Sequence, residues 1–242
     1  MIIKTLTKNI EAEYVVFDKD GTLVGGINLW KKIFNYEIES AKEMNLDIRE
    51  TANKIFGADD IKPYSPLVTF HASEAPILMA AAIWINYQLP WYKCKEFGNK
   101  IIKEGSKKIS KNELYEFLPG ALNLINCFFS KNIPLFIATS DSKENTIDMV
   151  KYLNIEDKIK YIVSSDEVEY GKPDPDILLK IEEIVKIDIK KGVLIGDNEV
   201  DVETAKRANT NSIIVGQEDL GADGWVKSLE DLVDLNFKVD TK

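Results

Sequence analysis

The stretch YVVFDKDGTLV, Tyr14 to Val24, drives an apolar run straight into Asp18, Lys19 and Asp20 before Gly21 breaks the line. A short run without polar alternation reads as a strand buried on both faces, as in a parallel sheet. The same form recurs in IPLFIATSD (Ile133–Asp141), IKYIVSSDEV (Ile159–Val168), GVLIGDN (Gly192–Asn198) and NSIIVG (Asn211–Gly216), with GWVKS (Gly224–Ser228) as a short sixth. Helical text lies between most of them: PGALNLINCFFSKN, SKENTIDMVKYLN, DPDILLKIEEIVK and VDVETAKRAN. This alternation predicts an α/β fold, a doubly wound parallel sheet with right-handed crossovers.

The alternation stops after the first strand. LWKKIFNYEIESAKEM, DIRETANKIFG, SEAPILMAAAIWINYQ and PWYKCKEFGNKIIKEGSKKI read as helices, the third with a Ser cap, and no strand is evident among them. Residues 27–112 are therefore expected to form a helical insert with its own core, built in part on Trp30 and Trp84, inside an α/β domain made of 1–26 and 113–242. The single histidine, His71, lies in the loop IKPYSPLVTFHASE of the insert, where it serves either packing or specificity.

The bulk numbers narrow the function classes. A chain of 242 residues with 45% hydrophobic and 29% charged content can bury a sizeable core. Its net charge of −9 argues against nucleic acid as a partner and admits a bound cation. Cys94 and Cys127 lie far apart in helical text and read as reduced packing residues, which suits a cytoplasmic protein. The N-terminus MIIKTLTKNIEAEY lacks the apolar segment of a signal peptide, and the longest apolar run, APILMAAAIWI, is too short to span a bilayer, so no membrane is expected.

In an open parallel sheet, ligands bind beyond the carboxyl ends of the strands. Those ends carry Asp18, Asp20 and Gly21; Thr139, Ser140 and Asp141; Lys172 in EYGKPDPD; and Asp197 with Asp201 a turn further on. Asp18 and Asp20 are two apart, so an extended backbone sends both to one side. Bare carboxylates within ~4 Å repel by ~1–4 kcal/mol at surface-like dielectric, so the cluster calls for a cation, and Mg²⁺ suits hard oxygen ligands. Thr139 supplies a hydroxyl, Lys172 a positive charge, and the turn at Gly21 backbone N–H groups for an anion. Such a set can handle a phosphoryl group. One carboxylate attacks phosphorus, and a second carboxyl protonates the leaving alkoxide and then activates water.

Four segments in this order, DKDGT (18–22), the strand ending at Thr139, GKPDP (171–175) and GDNEVD (196–201), resemble the motifs of the haloacid dehalogenase superfamily of phosphatases and phosphotransferases. The likeness spans Tyr14–Thr22 and about Phe117–Asp234, and GADGWVKSLEDLVDL resembles the family's closing segment. It implies a Rossmann-type core with a helical cap inserted between the first and second motifs, nearest the phosphoglycolate-phosphatase-like group. By position it makes Asp18 the nucleophile and a metal ligand, and Asp20 the general acid/base with its main-chain carbonyl on the metal. Thr139, with Ser140 beside it, and Lys172 would bind the phosphoryl group. Asp197 would bind Mg²⁺, supported by Asp201. The dehalogenase and phosphonate-cleaving branches lack the second Asp, so Asp20 favours a phosphatase of a small phosphorylated metabolite, such as phosphoglycolate or a sugar phosphate, or else a phosphomutase. A non-catalytic regulator would have lost a nucleophile or metal ligand, and this chain keeps both.

Plainer readings stand beside these. Asp18 and Asp20 suit a turn or a cap, Lys172 a solvated lysine, and Asp201 the cap of the helix that follows. Lys19 occupies a slot that is usually apolar in related phosphatases. It serves as charge balance, as a substrate contact, or as a snorkelling side chain.

Overall fold

The computed structural model describes residues 1–62, 65–69 and 73–237. Its strands are β1 (Ile2–Ile3), β2 (Ile10–Glu11), β3 (Tyr14–Phe17), β4 (Leu135–Thr139), β5 (Tyr161–Ser164), β6 (Gly192–Gly196), β7 (Asn211–Val215) and β8 (Gly224–Val226). Helices α1 (Ile27–Glu43), α2 (Arg49–Phe56), α3 (Pro66–Thr69), α4 (Ala75–Tyr87), α5 (Trp91–Ser106) and α6 (Lys111–Leu114) come between β3 and β4. Helices α7 (Ala121–Ser130), α8 (Lys143–Tyr152), α9 (Asp176–Val185), α10 (Glu199–Ala208) and α11 (Leu229–Phe237) belong to the strand region. The chain divides into two units, one of Met1–Val24 with Tyr115–Lys242 and one of Gly25–Leu114.

In the first unit six parallel strands lie in the order β5-β4-β3-β6-β7-β8. The chain steps outward from β3 to β4 and β5, returns to β6 on the other side of β3, and steps outward again. The direction of winding therefore reverses between β3 and β6, the place where open α/β sheets bind ligands. Every residue of β3, β4 and β6 is buried, which accounts for their unbroken apolar text. Tyr14, Val16, Phe136, Ala138 and Leu194 pack on one face against Ile177, Leu178 and Ile181 of α9 and Ala205 of α10. On the opposite face Phe17 meets Phe128 of α7, ring centroids 6.3 Å apart.

The antiparallel pair β1–β2, with Ile3 opposite Ile10, is not foreseen by the sequence patterns. Arms of two residues are too short to show a period. The hydroxyl of Tyr14 is buried without a hydrogen-bond partner among the described residues. Tyr14→Phe removes that unsatisfied donor and is expected to hold or raise the thermal midpoint, whereas a fall above about 1 kcal/mol in chemical denaturation would reveal a hidden partner.

Helices are the only regular elements among the described residues of the second unit, with a core of Phe34, Ile38, Phe56, Met79, Ile83 and Ile101. α4 and α5 approach so closely at Gly98 that an added Cβ would lie 2.2 Å from the Pro76 carbonyl oxygen. Trp30 packs against this core, but Trp84 is 51% exposed, which corrects the expectation that it builds the interior. α4 is apolar almost all round, so periodicity could not tell its buried side from its outer one. Its N-cap is Glu74, without a side-chain cap bond, so Ser73 does not cap it. Cys94 is buried and Cys127 half-buried, both free thiols. His71 lies outside the described residues. No helix among the described residues is long and apolar enough to cross a membrane.

Candidate active site

The site is built at the carboxyl ends of β3, β4 and β6. Phe17 pairs with Ile195 in register, so Asp18 leaves β3 level with Gly196, one residue before Asp197 on the adjacent strand. Asp18 N–H donates to the Ile195 carbonyl at 2.8 Å, extending the ladder into the site. Gly21 turns the chain with φ of 89°, and a Cβ there would lie 2.1 Å from Asp197 Oδ2. Glycine is needed twice over, for the left-handed conformation and for the room taken by the neighbouring carboxylate.

Two cation-centred groups form. In the first, Lys172 Nζ donates to Asp18 Oδ1 and to Asp201 Oδ1, each at 2.7 Å. The Lys172 side chain is only 2% exposed, which rules out the reading as a solvated lysine. Carboxylate oxygens of Asp18, Asp197 and Asp201 lie within 4.8 Å of one another. Three carboxylates around one ammonium leave net negative charge in a buried place. Burial pushes the Asp18 carboxyl up to about 7, against the pull of Lys172. Asp197 is likewise held well above the ordinary range, by burial and by the charges of Asp18 and Asp201. Lys172 stays firmly protonated because the two carboxylates outweigh its burial.

Asp201 reconciles two sequence readings. α10 begins at Glu199, with Asn198 as its N-cap, so Asp201 is the third helical residue and completes a capping box. Its Oδ2 accepts from the N–H groups of Asp197 (3.2 Å) and Asn198 (3.4 Å), while Oδ1 accepts from Lys172. That uses most of its acceptor capacity. Among the described residues, by contrast, no donor bonds to Asp18 Oδ2, and Asp197 accepts only from Asn198 Nδ2, at 3.3 Å. The set of hard oxygens, net negative charge and open acceptors on Asp18 and Asp197 fits a divalent cation.

The second group answers the question of Lys19. Its side chain, 4% exposed, donates to Asp20 Oδ1 at 2.8 Å and also pairs with Asp20 Oδ2 at 2.7 Å and Asp141 Oδ2 at 2.9 Å. Lys19 is therefore a buried counter-charge, not a snorkelling side chain. Asp141 Oδ1 accepts from Ser142 N–H at 2.7 Å and Asn145 Nδ2 at 2.8 Å. Asp141 N–H donates to Thr139 Oγ1 at 3.1 Å, which ties the buried Thr139 into this group. The Ser140 carbonyl accepts from Ser165 Oγ at 3.0 Å. Asp20 lies above the ordinary carboxylate range through burial, partly offset by Lys19, whereas Asp141 lies below it because Lys19 and its hydrogen-bond donors outweigh its burial. Sequence patterns alone leave Asp141 out of the site's working set. Its position directly after Thr139-Ser140 is the signal that could have found it.

The family model described as haloacid dehalogenase-like hydrolase matches residues 15–215. A phosphorylated carbohydrates phosphatase from Thermotoga maritima is 29% identical over 202 residues, covering 83% of each chain. Among solved structures, a predicted phosphoglycolate phosphatase from Haemophilus somnus has a TM-score of 0.70 at 13% identity, covering 93% of this chain and 98% of that one. A putative beta-phosphoglucomutase from Thermotoga maritima has a TM-score of 0.65 at 23% identity, covering 93% and 97%. These two structures share its fold.

Proposed function

This chain belongs to the haloacid dehalogenase-like hydrolase family, and we propose that it is a Mg²⁺-dependent phosphatase of small phosphate monoesters acting through an aspartyl phosphate. The observation that carries this is Asp18: a buried carboxylate with Lys172 on one oxygen, the other oxygen without a donor among the described residues, beside Asp197 and Asp201. In the first step Asp18 attacks phosphorus, the bond from phosphorus to the alkoxy oxygen breaks, and Asp20 gives that oxygen a proton. In the second step Asp20 takes a proton from water as the water attacks phosphorus, which frees phosphate and restores Asp18. Lys172 and Thr139, with Ser140 beside it, hold the phosphoryl oxygens, and Lys172 also offsets the burial that opposes ionisation of the nucleophile and aims it. Asp18, the Asp20 carbonyl and Asp197 would hold Mg²⁺, with Asp201 orienting the set. When bound, the ion offsets the charge shared by the carboxylates and the phosphoryl oxygens. The insert, placed between the first and second motifs, is read as the family's cap domain.

The sequence relative from Thermotoga maritima makes phosphorylated carbohydrates the first substrates to try. A panel of phosphorylated metabolites is screened for free phosphate, after EDTA treatment and with Mg²⁺ restored. At least one compact monoester is expected to release phosphate, with a loss of at least about 100-fold in EDTA that Mg²⁺ reverses. Turnover indifferent to EDTA would sink the metal assignment. Return of an isomerised sugar phosphate in place of phosphate would identify a mutase.

A further inference from the structure

Lys19 carries more than charge balance. Its ammonium lies between two carboxylates from different strand ends, Asp20 after β3 and Asp141 after β4. It contacts both oxygens of Asp20, so it holds that carboxyl in place. Asp141 is in turn pinned by Ser142 N–H and Asn145 Nδ2 at the start of α8. The backbone that bears Lys19 is itself braced, its carbonyl accepting from Leu23 N–H (2.9 Å) and Val24 N–H (3.1 Å). Asp20 is thus anchored through Lys19 to the hydrogen-bonded turn between β4 and α8, by contacts separate from those of Lys172 with Asp18.

We propose that Lys19 is a positioning residue for Asp20, clamping the proton-transferring carboxyl to Asp141 while taking no part in phosphoryl binding. This rests on the phosphatase reading above. Proton delivery matters when the departing oxygen is a poor leaving group, because an alkoxide needs the proton and p-nitrophenolate does not. Loss of the clamp should therefore discriminate between esters. A general loss of structure would lower all of them alike.

The test compares kcat/KM for the best alkyl phosphate of the panel with that for p-nitrophenyl phosphate in Lys19→Met. The alkyl ester is expected to lose at least about tenfold more than the aryl ester, a part of the 10²–10⁴ that acid–base catalysis supplies. Asp20→Asn should show the same preference. Adding Lys19→Met to it should cost the alkyl ester less than about threefold more, because both act through one group. Asp141→Asn, a milder change, should give the same selective loss in smaller degree and carries the test if Lys19→Met does not fold. Equal losses on both esters, or losses that multiply in the double variant, would overturn the proposal. That outcome leaves the phosphatase reading intact as long as the parent chain releases phosphate and Asp18→Asn does not. If the parent chain releases none, the phosphatase reading is what fails.

Discussion

Asp18→Asn is expected to cut phosphate release by at least about 10³-fold, about 4 kcal/mol on the barrier, while the metal-free protein melts no lower than its parent. The substitution is isosteric. Asn Oδ1 can still accept from Lys172, which bonds Asp18 Oδ1 at 2.7 Å in the parent, but an amide cannot form the acyl phosphate. The stability half follows from charge. Lys172 pairs with Asp18 and Asp201 while the Asp197 carboxylate lies beside them, and burial already raises the Asp18 carboxyl to about 7. A neutral side chain there relieves the cost at pH 8, and the gain shrinks as pH falls from 7 towards 3.8, where the parent carboxyl is protonated in both states. The two readouts should therefore part company, with turnover lost and the fold kept. Turnover within tenfold of the parent would remove Asp18 as nucleophile, and a collapse of both would make its role structural.

How much of the molecule is legible in its sequence depends on the kind of interaction. Strand ends are legible because an apolar run that stops at acids fits little besides a buried strand delivering them to a sheet edge. β3, β4 and β6 indeed end close to where their text turns polar. The partnership of Lys19 with Asp141 is not legible, because it depends on β3 and β4 lying side by side, which no local pattern encodes. Asp201 looks in sequence like a choice between helix cap and site residue. The structure gives it the cap and an ion pair with Lys172, since its two oxygens face different donors. In α4 the apolar text is plain, but its uniformity hides that Trp84 faces outward. Sequence patterns report what one element buries. Charge pairs across elements report topology, and that appears only when the sheet is assembled.

Lys172→Met should be the most damaging change to the fold. Lys172 is the counter-ion of both Asp18 and Asp201, and its removal leaves buried charge unpaired, a loss of about 3–5 kcal/mol near pH 8. The sign of the pH dependence follows from Asp18, raised from 3.8 to about 7 on folding. Between those values the folded state binds more protons than the unfolded one. This group's contribution is fully present below 3.8 and is lost as pH rises through 7. Without the ammonium the Asp18 carboxyl holds its proton to still higher pH, so the variant's deficit should shrink as pH falls from 8 towards 5. Millimolar Mg²⁺ should also restore much of the melting temperature at pH 8, because a divalent cation satisfies the same carboxylates. It should not restore phosphate release, because a cation among the carboxylates does not replace the ammonium that would bind the phosphoryl oxygens. A variant as stable as its parent at pH 8 would show that Lys172 is not the counter-charge. Rescue of turnover along with stability would show that it does nothing for the phosphoryl group that an ion cannot do.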